Sequence, residues 1–264
     1  MNVAVIQLQA GDHKTENIQK AAFLVEQAIQ NKAEFICLPE VFSHRGKAED
    51  GMQGIAEDVP GESLQPLSDL AKKKNVFILA GSIYERAPSQ KKVYNTSVLI
   101  DARGKVAAQY RKIHLFNAIL GTQKICESDH FLSGKKTAMV KVKDFMVGLS
   151  ICYDVRFPEL YKLYAKQGAD ILCVPSAFTY KTGEAHWEVL LRARAIENVC
   201  YVLAPNQIGE DNRGIKVYGN SMIIDPWGNI LARASSDKEE IIYARLDKNI
   251  IKEKRLTLPG FGKI

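Results

Sequence analysis

Three short segments of the chain each place a reactive side chain at the end of an apolar run. They are "CLPE", which ends at Glu40, "YRKIHLF", which contains Lys112, and "ICYD", which contains Cys152. Pro39 lacks a backbone donor and favours the end of a strand just before Glu40. Pro158 suits the first turn of a helix, so Cys152 is predicted to lie in the turn that leads from a strand into that helix. Ligands bind at strand ends in α/β folds, so these three positions are candidates for one site.

A carboxylate, an ammonium and a thiol together suit acyl transfer through a thioester. The thiol would be the nucleophile, and an isolated thiol has a pKa of about 8.5. A neighbouring carboxylate can take the thiol proton and return it to the leaving amine. An ammonium and the backbone N–H groups from Tyr153 onward can stabilise the oxyanion.

Each of the three residues also has an ordinary structural interpretation. Taken singly, Glu40 is typical of a solvated loop, Lys112 of a charged surface and Cys152 of a packed core. A non-enzymatic binding protein with an inert, buried Cys152 is therefore the alternative from a different functional class. Reactivity of one thiol at neutral pH separates the two interpretations.

The elements that must position these residues alternate between strands and helices. "NVAVIQL", "EFICLPE" and "VFILAGSI" are predicted strands, and residues 15–31 have helical spacing of apolar residues. Further helices are predicted from about Pro158 to Lys166 and over Glu184–Asn198. Hairpins at "YNTSVLI" to "KVAAQY" and at "NSMIIDPWGNILARA" add antiparallel pairs. The pattern predicts an α/β fold with two mixed sheets and helices outside, in a single domain over residues 1–264.

Composition narrows the class of protein. Apolar residues make up 46% of the 264 and charged residues 25%, as in ordinary soluble globular proteins. The chain has no long apolar span that would predict a membrane helix. Its start lacks the features of a signal peptide, so we expect a cytoplasmic protein without membrane contact. The net charge of +6 comes from scattered lysine groups without interleaved aromatics, which argues against nucleic-acid binding.

The five cysteines do not form a metal-binding pattern. No CxxC or CxxH pair is present, and the odd number favours free thiols. Cys37, Cys173 and Cys200 lie within apolar runs and are predicted to be core residues. We therefore expect no metal site.

The three segments, in this order, resemble the nitrilase superfamily of carbon–nitrogen hydrolases, and the resemblance extends over essentially the whole chain. It implies that Glu40, Lys112 and Cys152 form a catalytic triad. It also implies that Glu127, in "CESDHFLSG", positions Lys112 and the attacking water. It further implies a four-layer α-β-β-α sandwich, a homodimer or larger homo-oligomer, and no organic cofactor.

The segment "TGEAHWEVLLRARAIE" narrows the resemblance to the branch that acts on deaminated glutathione and on ω-amides of α-keto acids. It implies hydrolysis of a carboxamide in a small anionic substrate to an acid and ammonia, with deaminated glutathione as the first candidate. N-carbamoyl amide hydrolysis and aliphatic amidase activity are alternatives within the superfamily, and a nitrile substrate fits less well.

Further residues are predicted around the substrate. Arg156 is expected to bind a substrate carboxylate through its planar fork, or else to pair with Asp154 or Glu159. Phe178 and Thr182 are implied pocket walls, and Phe116 begins a loop to Asp129 that should border the pocket. His186 is predicted near the same rim as a hydrogen-bonding residue rather than as a second base.

Overall fold

The first of two large sheets carries the Glu40 and Lys112 segments. The computed structural model describes residues 1–47, 51–88, 91–120 and 123–259. This sheet has the order β15-β1-β2-β3-β5-β4, with β6 paired to β5. Its strands are β1 (Asn2–Gln7), β2 (Phe35–Cys37), β3 (Phe77–Leu79), β4 (Ile83–Glu85), β5 (Tyr94–Ile100), β6 (Val106–Arg111) and β15 (Glu240–Arg245).

The second large sheet carries the Cys152 segment. Its order is β14-β13-β12-β11-β10-β9. Its strands are β9 (Met139–Val142), β10 (Phe145–Leu149), β11 (Ile171–Cys173), β12 (Tyr201–Ala204), β13 (Met222–Ile224) and β14 (Ile230–Arg233). A separate two-stranded hairpin consists of β7 (Asn117–Leu120) and β8 (Gln123–Cys126).

Both large sheets are mixed, as predicted. Strands β1, β2 and β3 are parallel, and so are β10, β11 and β12, while the flanking strands pair antiparallel. The helices are α1 (Lys14–Gln30), α2 (Gly51–Ile55), α3 (Gln65–Lys74), α4 (Pro158–Lys166), α5 (Tyr180–Asn198) and α6 (Lys248–Thr257). The α4 bounds are those expected from the sequence.

Side chains of the first sheet alternate between two cores. Val3 and Val5 of β1 join a cluster that includes Val147 and Leu149 of the second sheet. Ala4 and Ile6 of the same strand join a second cluster with apolar residues of α1 and α3. Because successive residues of a strand point to opposite faces, both faces of β1 are covered. Helices α4 and α5 pack on the second sheet, so the fold is the four-layer α-β-β-α sandwich that the resemblance implied.

The predicted core cysteines are confirmed as fully buried. Cys37, Cys173 and Cys200 have no exposed surface. Burial raises the pKa of Cys37, and neighbouring Cys173 raises it further, because the two thiols meet between the sheets. Within the described residues, no helix is long and apolar enough to cross a membrane.

Some local predictions were wrong. Helix α5 begins at Tyr180, not at Glu184 as predicted. Gly183 is a poor helix former, so the sequence pattern did not indicate the first turn. Gly183 packs against Tyr218 there, and a Cβ at this position would lie 2.4 Å from Tyr218 Cβ. The run "VFILAGSI" is not one strand, because β3 ends at Leu79 and β4 begins only at Ile83, the last residue of the run. The predicted loop from Phe116 contains the β7–β8 hairpin. No element was predicted after β15, but Lys248–Thr257 forms α6, whose N-cap is Asp247.

Candidate active site

Glu40 lies in a buried turn after β2, and not in a solvated loop. Its carboxylate accepts hydrogen bonds from Lys112 Nζ at 2.8 Å, Asn95 Nδ2 at 2.9 Å and the Ala177 backbone N–H at 2.8 Å. Gly81 makes the turn possible, since a Cβ there would stand 1.8 Å from the Pro39 carbonyl oxygen. Three donors from separate segments thus fix the carboxylate in one orientation.

Lys112 directly follows β6, and its side chain is fully buried. Its ammonium lies 2.8 Å from Glu40 Oε1 and 2.8 Å from Glu127 Oε1. Burial by itself would lower the pKa of Lys112, but Glu127 and Glu40 outweigh it and hold that pKa well above its usual value. Lys112 therefore stays charged at neutral pH, as a buried cation between two carboxyl groups and not a surface charge.

Glu127 begins a single 3₁₀ turn, Glu127–Asp129, after β8. Its second oxygen accepts the Phe116 backbone N–H at 2.7 Å. Burial raises the pKa of Glu127, and the nearby Glu40 carboxylate adds to this, while Lys112 opposes it. The structure therefore brings Glu127 to Lys112, the residue that it was predicted to position.

Cys152 begins a 3₁₀ turn, Cys152–Arg156, at the carboxyl end of the second sheet. Its backbone has a positive φ of 48°, an uncommon conformation for a non-glycine residue, and its N–H donates to the Pro175 carbonyl at 2.9 Å. Burial raises the pKa of the Cys152 thiol well above its usual value; Glu40 raises it further and Lys112 opposes. The thiol is therefore protonated at neutral pH, beside a carboxylate that can take its proton.

Cys152, Glu40 and Glu127 border one cavity of about 920 Å³. Five of the residues predicted around the substrate also line it: Phe116, Tyr153, Arg156, Phe178 and Thr182. The segment from Phe116 to Asp129 borders the cavity through Phe116, through β8 and through the 3₁₀ turn that follows it. Gly121 and Thr122 of this segment lie outside the described residues.

Two of the predicted site residues do not border the cavity: Lys112, which is fully buried against Glu40 and Glu127, and His186. His186 lies on the exposed surface of α5, and its Nδ1 accepts a hydrogen bond from Arg156 Nη2 at 3.2 Å. The Arg156 guanidinium also lies 5.3 Å from the centre of the Phe178 ring. Within the described residues, Arg156 forms no ion pair with Asp154 or Glu159, the alternative expected from the sequence.

Several cavity cations were not predicted. Arg45 and Arg213 both face Asp211, at 3.8 and 2.6 Å. Lys47 and Lys124 also line the cavity. In the described parts of the chain, neither lysine has a carboxylate partner. With Arg156, three cations thus remain for an anionic ligand. Among the described residues, no group of three or more His, Cys, Asp or Glu side chains is arranged to hold a metal ion.

Asn95 and Ala177 were also missed from sequence, although both hold Glu40. Asn is uncommon inside strands, so its place in "YNTSVLI" was a usable signal for Asn95. The Ala177 contact is made by a backbone N–H, which no side-chain pattern reveals.

Comparison with known proteins gives a consistent result. The family model described as "Carbon-nitrogen hydrolase" matches residues 2–255. The deaminated glutathione amidase of Synechocystis sp. is 40% identical over 97% of this chain and 95% of its own length. The omega-amidase NIT2 of Homo sapiens is 36% identical over 98% of this chain and 93% of its own. The crystal structure of the C. elegans NitFhit protein superposes with a TM-score of 0.93 at 37% identity; it covers all of this chain, which spans 64% of that protein.

Proposed function

Because the chain belongs to the carbon–nitrogen hydrolase family, we propose that it is a cysteine-dependent amidase whose nucleophile is Cys152. The observation that carries this proposal is the buried Lys112 ammonium in contact with both Glu40 and Glu127, whose carboxyl groups border one cavity together with Cys152. Amidases at 36–40% identity along the whole chain support the same reaction class.

In the proposed reaction, Glu40 takes the thiol proton as the Cys152 sulfur attacks the amide carbon. The tetrahedral oxyanion is held by Lys112 and by the backbone N–H groups near Tyr153. The C–N bond breaks as Glu40 protonates the departing nitrogen, which leaves a thioester. Glu40 then removes a proton from water, the new C–O bond replaces the C–S bond, and the proton returns to sulfur. Glu127 keeps Lys112 and that water in position.

Deaminated glutathione is the proposed substrate, and ω-amides of α-keto acids are the second candidate. The cavity lies near the upper end of ordinary ligand pockets, roughly 300–1,000 Å³, which favours the tripeptide-sized molecule. Deaminated glutathione also carries two carboxylates, which suits Arg156 together with Lys47 and Lys124. Its amides are secondary, so the leaving group is the amine of a dipeptide; ammonia is released only from a primary ω-amide.

The test measures hydrolysis of deaminated glutathione, α-ketoglutaramate and an N-carbamoyl amino acid by wild type and Cys152→Ala. Dipeptide release and ammonia release are followed separately. We expect the highest kcat/KM for deaminated glutathione and no hydrolysis by the variant. Wild-type activity in Cys152→Ala would remove the nucleophile assignment, and higher kcat/KM for another substrate would replace the substrate assignment.

Thiol labelling distinguishes the enzyme from a binding protein with an inert thiol. Cys152 and Cys126 both line the cavity, whereas the other three cysteines are fully buried. We expect iodoacetamide to inactivate wild type and Cys126→Ser at similar rates, with modification of Cys152 in both. Five uniformly slow thiols would support the inert protein.

We also propose that the protein is a single domain, works in the cytoplasm and forms a homodimer. The core shared by both sheets supports one domain, and five free thiols suit a reducing compartment. Exposed apolar residues on α5 and on the β13–β14 hairpin, among them Val189, Ile196 and Trp227, support the dimer.

A further inference from the structure

Asp154 has a buried carboxylate that the proposed reaction does not use. Its side chain has no exposed surface. Oδ2 accepts the Tyr110 hydroxyl and the Ile151 backbone N–H, each at 2.8 Å. Oδ1 accepts the His114 backbone N–H at 3.0 Å and lies 2.7 Å from His114 Nδ1.

The partners of Asp154 belong to two distant segments. Tyr110 and His114 stand two residues before and two residues after Lys112, and Ile151 directly precedes Cys152. The carboxylate therefore joins the strand end that carries the ammonium to the turn that carries the thiol. It makes this connection within one side chain, behind the wall of the cavity.

The turn at Cys152 needs such support. A positive φ of 48° at a non-glycine residue is a strained conformation that persists only where neighbouring contacts fix it. Three hydrogen bonds do this: Ile151 N–H to Asp154 Oδ2, Asp154 N–H to the Ile151 carbonyl, and Cys152 N–H to the Pro175 carbonyl. One of the three is made by the Asp154 carboxylate itself.

The chemistry of the partners requires a carboxylate at this position. Two backbone N–H groups can only donate, and burial, followed by the field of Asp154, raises the pKa of Tyr110 well above its usual value, so its hydroxyl keeps its proton. An ionised carboxylate can accept all four bonds, while an amide presents N–H groups toward two of the donors. With an ionised acceptor, His114 donates through Nδ1, and its ring stacks on Phe157 at 3.6 Å.

We propose that Asp154 is a positioning residue of the amidase site, which fixes Cys152 in its strained turn at the distance from Lys112 that the reaction needs. The inference rests on the proposed function, because it assigns Cys152 as the nucleophile. It predicts a loss in kcat rather than in substrate binding. Misplacement of reacting groups by about 1 Å costs about 100-fold in rate.

The test compares Asp154→Asn with Asp170→Asn. Asp170 is a matched control, since it is also a buried carboxylate, accepts the Met146 N–H at 2.9 Å, and does not line the cavity. For each variant, kcat, KM, the thermal midpoint and the alkylation rate of Cys152 are measured on folded protein. We expect Asp154→Asn to lower kcat by about 100-fold with KM changed less than about threefold, and Asp170→Asn to lower only the thermal midpoint.

Tyr110→Phe keeps the inference testable if Asp154→Asn does not fold. It removes one donor, and we expect a drop in kcat of about three- to tenfold that does not add to that of Asp154→Asn, because both changes break one network. Unchanged kcat in Tyr110→Phe or in folded Asp154→Asn, or an equal kcat loss in Asp170→Asn, would overturn the inference. If wild type lacks amidase activity, the proposed function fails. The alkylation rate of Cys152 in Asp154→Asn, compared with the rates in wild type and in Asp170→Asn, then decides whether Asp154 positions the thiol.

Discussion

Lys112 Nζ lies 2.8 Å from Glu40 Oε1, although the two residues are 72 positions apart in the sequence. Strand β6 is antiparallel to β5, which is antiparallel to β3, so β6 runs in the same direction as β2 and β3. Both residues therefore follow strands whose carboxyl ends meet at one edge of the sheet. The predicted convergence of distant side chains depends on this pairing order.

Glu40→Gln tests the general base. The amide cannot take the thiol proton, and the raised pKa of Cys152 leaves little thiolate to replace that step. We expect kcat to fall by about 100- to 10,000-fold while the fold is kept. Steady-state kinetics and circular dichroism measure both, with exposed Glu16→Gln as control. A kcat within about tenfold of wild type would assign the base elsewhere.

Asn95→Ala tests the support of that base. Asn95 Nδ2 donates to Glu40 Oε1 at 2.9 Å, so its loss frees the carboxylate to rotate. We expect kcat to fall by about fivefold with little change in KM, since a typical hydrogen bond contributes about 1 kcal/mol. Ser97→Ala is the matched control: Ser97 lies two residues along the same strand, and its buried hydroxyl has no partner among the described residues. Equal effects of both variants would contradict the prediction.

Arg156→Lys tests recognition of the substrate carboxylate. Lys replaces a planar, bidentate donor with a point charge and loses the contact with the Phe178 ring. We expect KM for deaminated glutathione to rise by about tenfold with kcat nearly unchanged. Arg192→Lys serves as control, because Arg192 bonds Gly228 and Glu188 away from the cavity. If KM is the same in both variants, Arg156 does not bind the substrate.

Alkaline pH should destabilise the protein in part through Cys200. Burial raises the pKa of Cys200 to about 12 in the folded protein, compared with about 8.5 when unfolded. The folded state thus holds this proton more tightly than the unfolded state. The contribution of Cys200 to the free energy of unfolding is therefore complete below about pH 8.5 and is lost as the pH rises toward 12. By pH 10 the loss is on the order of 2 kcal/mol.

Denaturant unfolding of Cys200→Ala between pH 8 and 10 measures this loss. The variant should show a smaller decline in the free energy of unfolding than wild type. Val202→Ala, a buried neighbour without a titrating group, should keep the wild-type decline. Identical slopes in Cys200→Ala and Val202→Ala would show that Cys200 does not contribute.

Val189→Asp tests the proposed dimer. Val189 is 68% exposed on α5, and a charge there would have to be buried if this face forms the interface. We expect light scattering to show a dimer for wild type and a monomer for the variant. Phe23→Asp, at a 59% exposed position on α1 in the opposite helix layer, should remain dimeric. A monomeric wild type would refute the proposal directly.

Much of the fold could be predicted because each element repeats a local pattern. The parallel strands are apolar except at the two ends of β1, since helices cover one face of each large sheet and the other large sheet covers the opposite face. Helix α4 begins at a proline and follows the expected spacing. The start of α5 was missed because Gly183, placed there by its contact with Tyr218, weakens the local helix pattern.

The α/β class and the candidate residues Glu40, Lys112 and Cys152 could be predicted from the chain, and the family resemblance added Glu127, because residue type and order carry that information. The packing of remote segments alone shows which groups surround those residues: Asn95 and the Ala177 N–H donate to Glu40, and the Asp154 carboxylate joins the Lys112 and Cys152 segments. In the folded protein, His186 does not line the cavity, whereas Lys47 and Lys124 do. Hydrogen bonds act over about 3 Å, and the pairing that brings remote segments so close is a property of the whole packed molecule and not of any one segment.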